Sequence, residues 1–118
     1  MAKLVAISKS KHKSWYFKGI TDFSLLKKQS ACQITLSELS KACGFMPLFF
    51  HKNKNNKFNL CSLNGFYKDN NLLINEKGQW MGPYVPAVYR SLPFYITHEI
   101  NQKNPIICFD EELNCVFE

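Results

Sequence analysis

The stretch Lys77–Phe94, KGQWMGPYVPAVYRSLPF, limits what this chain can fold into more than any other, because it sets Gly78, Gly82, three prolines, Trp80, Tyr84, Tyr89 and Arg90 within eighteen residues. Pro86 suits the first turn of a helix, where its missing N–H is no loss, and Pro93 cannot continue one. The spacing therefore predicts a helix of about two turns over residues 86–92. Tyr84, Val85, Val88, Tyr89 and Leu92 supply its apolar side.

The rest of the chain reads as hairpins with one more short helix. Cys32, Ile34 and Leu36 alternate as a half-buried strand. Thr35-Leu-Ser-Glu38 fits a capping box, Leu36, Leu39 and Cys43 share a helical face, and Gly44 suits the position that ends a helix, so a helix is expected over residues 36–43. Met46–His51 and Lys57–Phe66 flank the turn cluster Asn53-Lys-Asn-Asn56 and make a β-hairpin. Gly65 marks a bend or a close approach of backbone. Further turns are expected at Lys68–Asn71, Asn75–Gly78 and Asn101–Asn104, with strands at Leu72–Ile74, Phe94–Glu99 and Pro105–Asp110. The acidic run Asp110–Glu112 is expected to close the core. These elements define an α+β fold, a largely antiparallel sheet of hairpins covered by short helices.

At 118 residues the chain has the length of one compact unit. Residues 1–13 read as a flexible basic arm with His12 exposed, and residues 14–118 as a single α+β domain whose ordered part begins at the aromatic anchor Trp15-Tyr16-Phe17. The 46% of apolar residues exclude intrinsic disorder. No apolar run approaches the roughly 20 residues of a membrane span. The amino terminus lacks the long apolar region of a secretory signal, and five cysteines without paired spacing favour reduced thiols, so a cytoplasmic location is expected.

Charge is uneven along the chain. Residues 1–60 hold eleven lysines against Asp22 and Glu38, whereas acidic residues outnumber basic ones from 61 onward. Such asymmetry suits an anionic partner, but the lysines are scattered and no nucleic-acid motif is present, so a solvated lysine face is preferred to nucleic-acid binding through the amino-terminal lysines.

No metal spacing links His12, His51 and His98 to the cysteines, no serine sits in a nucleophile elbow, and no glycine-rich phosphate loop occurs. Neither a metal nor a cofactor is expected, and no residue set specifies a reaction. Arg90, the sole arginine, has two readings. It either forms an internal ion pair with Asp110, Glu111 or Glu38, or, with Trp80, Tyr84 and Tyr89, clamps the carboxylate or phosphate of a small ligand. The internal pair is preferred.

Taken in order, Asn64-Gly65, Leu72-Leu73-Ile74, Gly78-x-Trp80, Tyr84-Val85-Pro86, Arg90-x-x-Pro93-Phe94 and Cys108-Phe109-Asp110-Glu111 resemble the pattern of the SapC-like family of bacterial proteins. The resemblance runs from about Trp15 to the carboxyl end and is strongest from Gly65 onward. It implies the amino-terminal part of a longer family architecture. It also implies an accessory or binding protein without established catalytic activity, associated with a bacterial surface layer or cell envelope through a protein partner or small ligand not specified by the sequence.

Overall fold

The computed structural model describes residues 3–98 and 104–118. In chain order these contain strands β1 (Leu4–Ala6), β2 (Tyr16–Phe17) and β3 (Ala31–Gln33), helix α1 (Leu39–Ala42), strands β4 (Leu48–Lys52) and β5 (Phe58–Leu63), helix α2 (Ala87–Arg90), and strands β6 (Phe94–Thr97), β7 (Ile106–Asp110) and β8 (Val116–Phe117). All the strand pairs are antiparallel and the helices are short. The contacts divide into two compact units where length alone predicts one: residues 21–90, and residues 1–20 with 91–118.

Residues 21–90 hold the sheet β3-β5-β4 and both helices. The β4–β5 hairpin forms as its alternation predicts, with Phe50 opposite Leu60 and Lys52 opposite Phe58. Its turn works through Asn53, whose side-chain oxygen accepts from the N–H groups of Asn55 and Lys57, and through Asn56, which takes the left-handed conformation at φ 59°. Gly65 answers to close approach, since a Cβ there would stand 2.0 Å from the Asn70 carbonyl oxygen. Gly78 sits at φ 76°, where a side chain would also strike Asp22. The expected strand Leu72–Ile74 reduces to one bridge, Ile74 to Trp80, because Leu72 and Leu73 lie in a turn closed by Asn71.

The other unit holds the sheet β1-β7-β6 and the pair β2-β8. The β6–β7 hairpin matches expectation where it is described; its connecting turn and Glu99 lie outside the described residues. The amino-terminal segment, read from sequence as a loose arm, pairs Leu4–Ala6 with β7. His12 is half-buried rather than exposed: its Nδ1 accepts from Ser8 N–H at 2.9 Å, and its ring packs edge-on against Trp15 and Phe109. Nor does ordered structure stop at the acidic run, for Asp110 caps a turn at Glu111–Leu113 that returns the chain as β8 against β2. Phe109, 2% exposed, is the best-buried large side chain of this unit.

Candidate functional site

Residues 21–90 bring Trp80, Tyr84, Tyr89 and Arg90 together, and the residue that organises them is Glu38. The capping box places Glu38 at the end of the short helical turn that begins α1, with its Oε2 accepting from the Thr35 N–H at 2.9 Å and the Thr35 hydroxyl at 2.8 Å. Its other oxygen accepts from the Tyr84 hydroxyl at 2.8 Å and from the Ala87 N–H at 2.6 Å. Ala87 begins α2 directly after Pro86, so its N–H is one that the helix itself leaves unpaired. One carboxylate thus caps two helices and holds Tyr84 between them.

Glu38 is only 5% exposed. Burial by itself would push its pKa up, but the Thr35 and Ala87 N–H groups and the Tyr84 and Thr35 hydroxyls outweigh that cost and bring it down to about 2. It is an ionised carboxylate with each oxygen accepting two hydrogen bonds. A general base needs the opposite arrangement, a raised pKa and an open lone pair.

Arg90 reaches Glu38 through Tyr84 rather than by the direct pair expected from sequence. Its Nη2 donates to the Tyr84 hydroxyl at 3.1 Å, its Nε to the Val85 carbonyl at 3.0 Å, and the guanidinium lies 5.4 Å from the centre of the Tyr84 ring. The Tyr84 pKa is raised, by desolvation first and then by Glu38, which keeps the hydroxyl a donor. Asp110 and Glu111, the other proposed partners of Arg90, belong to the other unit and are engaged there. Asp110 accepts from the N–H groups of Lys3 and Glu112, and Glu111 pairs with the Lys3 ammonium. Arg90 instead curls back along its own turn, where the Val85 carbonyl and the Tyr84 hydroxyl take its donors.

Trp80 and Tyr89 are packing residues with their polar ends satisfied. Trp80 Nε1–H donates to the Tyr84 carbonyl at 2.9 Å, and its ring meets Tyr89 and Phe23 edge to face. Tyr89 is buried, and its hydroxyl accepts from Asn64 Nδ2 at 3.0 Å. Asn64 in turn accepts from the Ser62 hydroxyl at 2.9 Å, and Ser62 meets the Cys32 thiol at 3.1 Å. Burial, then the neighbouring thiol, pushes the Tyr89 phenol far above its usual range, so it stays neutral. This buried chain from Cys32 to Tyr89 was missed in sequence. Its trace is the polar Ser62 within β5 and Asn64 directly after it.

Clefts among the described residues lie elsewhere. One of about 130 Å³ lies among Phe45, Pro47, Leu63, Gly65 and Phe66; another, of about 210 Å³, lies in the other unit among His12, Trp15, Phe94 and Phe109. Both are smaller than the roughly 300 Å³ at which ligand pockets begin, and neither is lined by Trp80, Tyr84 or Arg90. Among the described residues, no group of three or more His, Cys, Asp or Glu side chains is placed to hold a metal ion, and no helix is long and apolar enough to cross a membrane.

Comparison with curated proteins and with solved structures returns no match. The SapC family model matches residues 7–118, nearly the full length and both compact units, and the chain therefore belongs to the SapC family.

Proposed function

We propose that the chain is a non-catalytic accessory protein that works by binding a protein partner, and that the aromatic face of the β4–β5 hairpin is where it binds. The observation that carries this reading is the run of one sheet face from cover into solvent. Cys32 and Ser62 lie opposite each other and are buried, whereas farther out on the same face Phe50 and Phe58 are 68% and 66% exposed. Leu48 and Leu60, between them, are half-buried. Covering each bare ring would contribute about 2 kcal/mol, a gain that a partner can supply. The acid–base groups around Arg90 are taken up internally, which supports binding over catalysis and supports a structural role for Trp80, Tyr84, Tyr89 and Arg90. Association with a bacterial surface layer or cell envelope rests on the family resemblance, and the five free thiols support a reducing, cytoplasmic site of action.

The test is purification of the tagged protein from its bacterial host after mild cross-linking, beside the Phe50→Ser/Phe58→Ser double variant. The expected result is a protein partner, identified by mass spectrometry, that is at least tenfold depleted with the variant. A partner set unaffected by the substitutions, or a small molecule carried only by protein with an intact Arg90, would replace this reading.

A further inference from the structure

Among the described residues the same hairpin has a bare edge as well as a bare face, and its two ends set its hydrogen-bond phase. The Leu63 N–H donates to the Pro47 carbonyl, and the Asn53 N–H donates to the Lys57 carbonyl, both at 2.8 Å. Bonded pairs recur at every second residue of an antiparallel ladder. Phe49 and His51 therefore direct their backbone groups to β5, and Leu48, Phe50 and Lys52 direct theirs outward. Among the described residues β4 is the terminal strand of its sheet, in the order β3-β5-β4. It contains no proline, and Lys52, at its far end, is the charge that blunts it.

We propose that this edge takes an extended acidic segment of a partner polypeptide as an added strand. The inference rests on the reading of the chain as a binding protein and specifies how its partner is held. Charge selects the acidic character: residues 39–68 contain Lys41, Lys52, Lys54, Lys57 and Lys68 and no Asp or Glu. Lys52, Lys54 and Lys57 are all exposed where the hairpin turns. The alternating donors and acceptors of Leu48, Phe50 and Lys52 select a polypeptide, because an extended main chain repeats both groups at that spacing whereas a nucleic acid or a lipid surface does not. Beside Leu48 and Phe50 the added strand carries apolar side chains, and toward Lys52–Lys57 acidic ones.

The test uses a fluorescein-labelled peptide of four Val residues followed by four Glu residues, with binding followed by anisotropy at low salt. A Lys–Val counterpart is expected to bind at least tenfold more weakly. Lys52→Pro removes an outward N–H without touching the ladder to β5, so it should bind at least tenfold more weakly than Lys52→Gln, which removes the charge alone. Methylating alternate peptide nitrogens of the probe gives the same loss with the protein unchanged. Equal binding by Lys52→Pro and Lys52→Gln together with indifference to N-methylation, equal binding of the Lys–Val peptide, occupation of the edge by a second copy in sedimentation, or preference for single-stranded dT20 or anionic phosphatidylglycerol vesicles would each overturn the proposal. If Lys52→Pro keeps its cellular partner while Phe50→Ser/Phe58→Ser loses it, strand addition is refuted and the binding reading stands. A partner set indifferent to every variant refutes both.

Discussion

Glu38→Gln should destabilise residues 21–90 by about 3 kcal/mol and should remove most of their loss of stability in acid. The magnitude follows from the site. A carboxyl held at about 2, against its ordinary 4.5, is stabilised in its ionised form by about 3 kcal/mol relative to the unfolded chain. Glutamine keeps the shape and one acceptor for Tyr84 and Ala87, but it turns an amide donor toward the Thr35 N–H, leaving a buried group unpaired. The folded-state pKa is depressed, so this stability is fully present above about pH 4.5 and is lost as pH falls toward 2. Urea unfolding of both proteins, followed by circular dichroism from pH 6 to pH 2, measures the difference directly. Wild type and variant should differ by about 3 kcal/mol at pH 6 and converge toward pH 2. Parallel curves, with a constant gap or none, would refute the view that one ionised carboxylate joins the two helices.

Tyr84→Phe removes one of the four donors to Glu38, so the Glu38 carboxyl should titrate at higher pH in a carbon-13 NMR titration, and the variant should be less stable than wild type. Arg90 is exposed and bonded to Val85 and Tyr84, so Arg90→Ala should cost about 1 kcal/mol or less in urea unfolding, with Arg90→Lys in between because lysine keeps the charge and loses the fork. Gly65→Ala should cost about 1–3 kcal/mol by the same measurement, because the Asn70 backbone that its methyl meets cannot rotate away.

What was legible in the sequence was whatever is encoded locally. Alternation around an asparagine turn gives the β4–β5 hairpin, Thr35 with Glu38 gives the capping box, and Pro86 with Pro93 brackets α2. Strands β1 and β8 were not legible, because two or three residues carry no period and these strands exist only through partners far along the chain, as in Leu4 opposite Asp110. His12 was misplaced for the same reason: the side chains that bury it are Trp15 and the distant Phe109. In the candidate site, sequence names Trp80, Tyr84, Tyr89 and Arg90 as a ligand clamp and gives Arg90 the joining role; the structure places the four in one unit and gives the joining role to Glu38. A capping box explains one of the four hydrogen bonds at that carboxylate, the one from the Thr35 N–H; the Thr35 hydroxyl adds a second, and the other two come from residues nearly fifty positions away.

The most direct test of the claim that this protein binds through its hairpin, with the Glu38–Tyr84–Arg90 cluster serving the fold, is a three-way capture from host cells. Wild type, Arg90→Ala and Phe50→Ser/Phe58→Ser are recovered in equal amounts, and their bound partners are quantified by mass spectrometry. The predicted result is that Arg90→Ala keeps the wild-type partners and the phenylalanine variant loses them. Partners lost with Arg90→Ala and kept with the phenylalanine variant would contradict the claim and make Arg90 the functional residue.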